Sequence, residues 1–557
     1  MLGTDPDRSS QQRAIDDLWD RAENALRAGD LVVGRSLLMR VTCLAPAEPR
    51  GLYNLALLHH REARMEEAIR LYHRVLRIQV DHAAAGNNLC DALLASDDAV
   101  AADTWAGRFT ELVPENGRAW NNLGITRRRL NHIEQARRAF VMAQCLAPER
   151  ADPINNLALL IHGRAPDSAL LHYRRALIAG ARDSSTRVNL GTLLQEAGRL
   201  EEAERLYRSV LAEWPGHLDA DANLAACLLD RGRADDALMR AKAVLARDPD
   251  HRRAQWLVSW VALMRRDFHN GYQHFDRKWQ EPEFDAPAHA HAYPLWRGDV
   301  AAPGRLLLWC EHGVGDEILF AGLIGDVLAG GSQVVLECDP RLVTLFARAW
   351  PNIEVMARGG AVPNDVTAQS STARLPRLFR RSLEEFPRHF GYLTADPVRL
   401  QTASQGLRQV GPSPRVGLAW RSGNPRTGAG KSTTLSEWEA VLAIPEVTRV
   451  SLQYDDGGEA DPRLMPNPWP DVKGDIEGLA AQIAALDEVV TISGLTAHLA
   501  GALGVPARVM LPPTPVWFWF ADGADCPWYP SLSLYRPNSA GDRSDAIESV
   551  ARDLLDR

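Results

Sequence analysis

Cysteine is sparse and never clustered. The 7 thiols, Cys43, Cys90, Cys145, Cys227, Cys310, Cys338 and Cys526, form no C-x-x-C pair and no Cys/His spacing suited to a metal. That sets aside a disulfide framework and a zinc module, and leaves free buried thiols in a reducing compartment as the expectation. A basic surplus is also missing. The formal net charge is -8, which argues against a general nucleic-acid binder. There is no long unbroken apolar run: the longest, Val489 to Pro512, is interrupted by His498, Arg508 and two prolines, whereas a spanning helix needs about 20 mostly apolar residues. Met1 to Gln12 is polar and has no apolar signal core. A cytoplasmic protein with no membrane attachment is expected. The second half has no Asp-x-Asp segment suited to a divalent ion, so neither a metal nor a cofactor is expected. What is present is ordinary globular material, 46% hydrophobic and 24% charged. At 557 residues it is too long for one core, so two or more domains are expected.

The first half repeats. An Asn-Leu pair recurs at Asn54, Asn88, Asn122, Asn156, Asn189 and Asn223, in steps of 34 residues with one of 33. Trp120-Asn121-Asn122-Leu123-Gly124 opens one helix, Ala136 and Phe140 fall on the packing face of the next, and Ala147-Pro148 ends the unit, since proline cannot continue a helix. Glu201 to Tyr207 with Trp214-Pro215 repeats the pattern. Degenerate units around Leu18 to Pro46 and Ala254 to Trp279 flank the array, as terminal repeats that cap a stack would. This period and pattern resemble the tetratricopeptide repeat (TPR), which implies an α-solenoid superhelix over residues 1–282 that holds a protein partner in its groove. The Asn column has two readings of equal weight. In one it forms a ladder on an extended peptide, because an amide pairs with both backbone groups whatever the side chains are; this resembles the asparagine ladder of the eukaryotic O-GlcNAc transferase solenoid. In the other it bonds between neighbouring helices.

Residues 283–295 are rich in Pro, Ala and His and read as a linker. Beyond them the periodicity changes. Arg305 to Cys310 is a short apolar strand, Glu311-His312-Gly313-Val314-Gly315-Asp316 a glycine turn, Glu317 to Leu328 a helix, and Val334 to Glu337 the next strand: a βαβ unit. The glycines allow a sharp turn and close approach to the backbone, and the helix start supplies a positive dipole end. A second such region begins with Arg415 to Trp420 and continues through Arg421, Gly428 to Thr433, Val450 to Gln453 and Val489 to Ile492. It closes on Ser493-Gly494-Leu495-Thr496-Ala497-His498-Leu499-Ala500-Gly501-Ala502-Leu503-Gly504. The run Gly428-Ala429-Gly430-Lys431-Ser432-Thr433 is not a Walker A loop, because Pro425 stands where the first glycine is needed.

Pro294-Leu295-Trp296-Arg297-Gly298, the glycine turn with Asp316, Val416-Gly417-Leu418-Ala419-Trp420 with Asn424-Pro425, and His498-Leu499-Ala500-Gly501-Ala502-Leu503-Gly504 together resemble bacterial TPR glycosyltransferases. The C-terminal half of those proteins is related to family 9, the heptosyltransferase group. The resemblance runs almost to the end of the chain. It implies a GT-B-like pair of Rossmann-type lobes, 296–410 and 411–557, the second binding a nucleotide sugar. It implies transfer of the sugar to Ser/Thr of a protein acceptor, with Asp316 as general base and Gly313, Gly315, Arg421, Lys431, Gln453, Ser493, Gly494 and His498 around the donor. His312 replaces the usual Gln and either adds a second titratable group or fills space. Ser493-Gly494 replaces the pattern's Asp-Thr. Trp517, Phe518, Trp519, Trp528 and Tyr529 either stack on the ligand or pack the lobes. Similarity to flagellin-modifying members further implies flagellin as acceptor and a CMP-nonulosonic acid as donor. Two rivals remain: a scaffold with a degenerate, non-catalytic transferase half, and an enzyme acting on glycan or lipid.

Overall fold

The computed structural model describes residues 6–180, 184–275, 292–298, 302, 304–386, 388, 390–424, 428–453, 459–466, 474–538 and 542–556. The expected linker lies outside them over 283–291, as does the last stretch of the terminal repeat unit, 276–279. The chain forms two compact units, Met1–Leu194 and Gln195–Arg557. Compactness thus divides the molecule inside the repeat array, whereas the change in composition falls near residue 282.

Among the described residues, sixteen helices run from Pro6 to Gly271, in successive pairs. They are the helical TPR solenoid. Polar caps start several of them: Asp30, Asp98 and Asn116 each accept a backbone N–H of the turn that follows. Most turns inside a pair place one residue in the left-handed region, at Gly29, Ala63, Asp97, Asn131, Gly198, Gly232 and Arg266. Small residues in the first helix admit a ring from the second. A Cβ on Gly86 would lie 2.1 Å from Phe109, and one on Gly124 would lie 2.4 Å from Phe140. Ala136 and Phe140 are fully buried, as the repeat pattern requires.

The second unit continues from the last repeats into two open parallel sheets. The first contains β1 (Arg305–Trp309), β2 (Gln333–Cys338), β3 (Glu354–Ala357) and β4 (Val366–Ser371), in the order β3-β2-β1-β4. Leu295 already bridges to Gln369 of β4. The second sheet contains β5 (Arg415–Ala419), β6 (Thr448–Ser451), β7 (Leu464–Met465), β8 (Glu488–Ile492), β9 (Ala507–Met510) and β10 (Leu532–Tyr535), in the order β10-β9-β8-β5-β6-β7. Every strand pairing is parallel. The helix expected over Glu317 to Leu328 is instead two pieces, Val314–Ala321 and Ile324–Ala329. The break comes where Gly322 meets Tyr392, whose ring would lie 2.9 Å from a Cβ there.

The last repeats are packed onto the sheet region. Thr514 Oγ1 donates to Leu229 O at 2.9 Å, Ala521 N to Met264 O at 2.7 Å, and Arg266 to Asp522 O at 3.0 Å. An aromatic block continues the joint. Phe268 lies 5.7 Å from Phe386 and 6.1 Å from Phe520, Tyr272 lies 6.4 Å from Trp517, and Phe386 lies 4.8 Å from Trp528. Repeat helix, first-sheet region and second-sheet region therefore share one core.

Candidate functional site

Both sheets reverse their winding at an internal strand. In the first, β1 is flanked by β2 and β4; in the second, β5 is flanked by β6 and β8. Ligands of open parallel sheets lie outside the strand C-termini at such switch points. The chain leaving β1 is the glycine turn 311–316. The chain leaving β5 is the loop through Arg421 to Lys431, and the chain leaving β8 is Ser493-Gly494 and the helix Leu495–Leu503.

These segments meet. Gly315 lies flush against His498: a Cβ there would be 2.9 Å from His498 Cδ2. The helix Val314–Ala321 starts at Gly313, and Asp316 in its first turn accepts the Gly313 N–H at 3.3 Å. Burial lowers the pKa of Lys431, and the Asp316 carboxylate acts in the opposite direction. His498 is 5% exposed and its pKa is pushed down to about 3, first by burial and then by Lys431. Its Nδ1 lies 3.2 Å from the Tyr529 hydroxyl, and its ring packs against Trp519 and Phe518 at 5.0 and 5.5 Å. The imidazole is thus held neutral in an aromatic pocket. The rest of its helix packs through small residues, with Gly501 against the Tyr529 ring.

The other expected residues are placed as follows. The Gln453 amide oxygen accepts the N–H groups of Trp420 and Arg421 at 3.0 and 2.9 Å, and its nitrogen donates to Arg421 O at 3.1 Å. Its side chain therefore ties the end of β6 to the loop after β5. Ser422 N donates to Ser432 Oγ, and Thr433 N to Trp420 O, closing that loop on Lys431. Ser493 is buried and Gly494 caps the helix that carries His498. Trp517, Phe518, Trp519, Trp528 and Tyr529 are all buried.

In the first unit, Asn88 Nδ2 donates to Tyr53 Oη, Asn122 Nδ2 to Asn87 O and Asp91, and Asn156 Nδ2 to Asn121 Oδ1. These amides bridge one repeat to the one before it. Asn54 and Asn189 are half-buried, while Asn223, in the second unit, is buried.

Sequence reasoning missed Tyr529 as the partner of His498, and it missed Glu311 and Ser371. Glu311 is 7% exposed, accepts the Ser371 hydroxyl, and faces His312 Nε2 at 3.4 Å. The only signal for Glu311 was a carboxylate beside the glycine turn. Among the described residues no group of His, Cys, Asp and Glu is arranged to hold a metal ion, and no helix is long and apolar enough to cross a membrane.

Residues 52–82 and 194–261 match models of the tetratricopeptide repeat, so the helical half is a TPR array of the kind that mediates protein–protein contact. Protein FlbA of Caulobacter vibrioides is 28% identical over 479 residues, covering 80% of this chain and 79% of FlbA. That coverage exceeds either half, so the alignment runs through both the repeats and the sheets. Among solved structures, a tetratricopeptide repeat protein from Parabacteroides merdae is 16% identical, covers 44% of this chain and 97% of its own, and has a TM-score of 0.38. Pseudomonas aeruginosa PilF is 18% identical, with 38% and 96% covered and a TM-score of 0.33.

Proposed function

We propose that this protein is a cytoplasmic, metal-independent glycosyltransferase of GT-B type, which moves a sugar from a nucleotide donor to Ser/Thr of a protein held by its repeats. One observation carries the proposal. The C-terminal ends of β1, β5 and β8 bring Asp316, Lys431 and the His498 helix to one place from two sheets. A nucleotide sugar needs that division. One side offers a base for the incoming hydroxyl. The other offers positive charge and backbone N–H groups for the leaving phosphate. Asp316 and His312 are the two groups at the turn able to take the hydroxyl proton, and the family resemblance assigns Asp316. The finer form of the reading has flagellin as acceptor and a CMP-nonulosonic acid as donor. Ser493 and Gly494 suit a single phosphate, since a hydroxyl and a bare backbone approach it closely.

A scaffold reading draws on the same two positions. Ser493-Gly494 supplies no carboxylate, and His498 is sealed under Trp519 and Tyr529, so the site would hold a nucleotide without turning it over. Thermal-shift assays against CMP, UDP, GDP and ADP test the pocket first. Stabilisation by at least one nucleotide is expected, with a loss of that shift in Lys431→Ala. Response to UDP alone would retire the nonulosonate donor. Intact-mass analysis of flagellin co-expressed with and without the protein then separates transferase from scaffold, because only the transferase adds mass.

A further inference from the structure

Lys431 is carried by an element that cannot hold itself. The helix Gly428–Lys431 is a single turn, and one turn fixes several backbone dihedrals for a single hydrogen bond. Gly430, next to Lys431, has no atom within 4 Å of where a Cβ would sit, so side-chain packing does not hold it. Carbonyls at the end of such a turn have no partner inside the helix. Here one side chain takes two of them. Arg543 donates from Nη1 to Ser432 O at 2.5 Å and from Nη2 to Gly430 O at 2.6 Å. The two carbonyls flank Lys431, and a planar guanidinium meets both in one fixed fork.

Arg543 is itself anchored. It leads into the helix Ser544–Leu555, whose buried residues Ala546, Ile547, Val550 and Leu554 belong to the same core as Trp420 and Trp438. The charge that acts on Arg543 is the Glu437 carboxylate, and the charge that acts on Lys431 is the Asp316 carboxylate. Arg543 therefore reaches Lys431 through the backbone.

We propose that Arg543 is a positioning residue for Lys431, and that the segment leading into the helix Ser544–Leu555 thereby sets how the donor phosphate is recognised. The inference rests on the reading that places the donor phosphate at Lys431. Lys431 offers the phosphate one ammonium at the end of a flexible stem. Where that stem starts is decided by the carbonyls of residues 430 and 432. With the fork removed, the ammonium spreads over positions away from the phosphate, while contacts to the nucleoside are untouched.

Two measurements on the full-length protein test this. The first needs no ligand. The chain has four lysines, Lys242, Lys278, Lys431 and Lys473, so protein labelled with 13C at lysine Cε gives a simple spectrum. The Lys431 signal, assigned by its loss in Lys431→Arg, should be broad and displaced from that of free lysine. Arg543→Gln should narrow it and move it towards free lysine, with the Lys242 signal in place. A Lys431 signal that already matches free lysine in the wild type, or that does not change in Arg543→Gln, overturns the clamp. The second compares, by calorimetry, CMP with cytidine and UDP with uridine. Arg543→Gln should weaken nucleotide binding about tenfold, the size of a lost contact to a charged group, and leave nucleoside binding unchanged. In a Lys431→Ala background the same substitution should have no further effect, since a residue that acts only through another adds nothing once that one is gone. Equal losses for nucleotide and nucleoside, or a further loss in the Lys431→Ala background, would show a merely structural role. A wild type that binds neither nucleotide counts against the transferase reading itself, and the lysine signal then decides the clamp alone.

Discussion

His498 shows how one buried side chain writes a pH dependence into the molecule. Its ordinary value of 6.5 falls to about 3 because burial beside Trp519 and Tyr529 penalises the charged ring. The unfolded chain therefore takes up a proton near pH 6.5 that the folded chain refuses until near pH 3. The contribution to stability is intact above about 6.5 and is lost progressively as pH falls towards 3, at about 1.4 kcal/mol per pH unit where only the unfolded form is protonated. Melting curves from pH 7 to pH 4 should show that slope. In His498→Gln, which removes the titrating group, this part of the slope should disappear even if the variant melts lower at pH 7. An identical slope in both proteins would remove His498 as its source.

Two elements depend on what a single backbone position tolerates. The helix Leu495–Leu503 approaches Tyr529 through Gly501, where a Cβ would lie 2.4 Å from the ring. Gly501→Ala should cost about 1–3 kcal/mol through overpacking, read as a lower Tm and weaker nucleotide binding. The repeat hairpins offer the opposite case. Ala63 sits at φ +58° in open solvent-side turn geometry that Gly29, Gly198 and Gly232 occupy elsewhere. Ala63→Gly should therefore stabilise the fold by about 0.5–1 kcal/mol despite removing a methyl group, a small rise in Tm that differential scanning calorimetry can resolve. The same contrast explains what the sequence displays and what it conceals. The 34-residue period is plain in the Asn-Leu pairs because each first helix buries the same leucine, Leu55, Leu89, Leu123, Leu157, Leu190 and Leu224. The left-handed turn is plain only where glycine fills it and is hidden in Ala63, Asp97, Asn131 and Arg266. At the site, Gly315, Asp316 and His498 are legible because tight turns and helix starts need particular residues. The Ser371–Glu311 hydrogen bond is not legible, because 60 residues separate the two and only the pairing of β1 with β4 brings them together.

For the molecule as a whole, the decisive joint is the one inside the second unit. The helices Leu218–Asp230 and Arg252–Met264 belong to the repeats by sequence, yet they bond to Thr514 and Ala521, and the short helix Phe268–Gly271 that follows puts Phe268 and Tyr272 in the aromatic block. Removing them would expose Phe386, Trp517 and Phe520 together, a patch of the kind that drives aggregation. A fragment beginning at Gln195 should fold and stay monodisperse, whereas one beginning at 292 should aggregate or bind a hydrophobic dye. Size-exclusion chromatography of the two checks this, and a well-behaved 292–557 fragment would show that the joint is dispensable.

That joint also sets a measure. Because the last repeats and the glycine turn share a core, a chain lying along those repeats meets the reacting groups at a set arc length from wherever it is gripped. Under the proposed function, the modified hydroxyls of an acceptor would then be chosen by their spacing from a docking segment more than by their immediate neighbours. Inserting residues between the two would move the mark along the acceptor by the same number of positions.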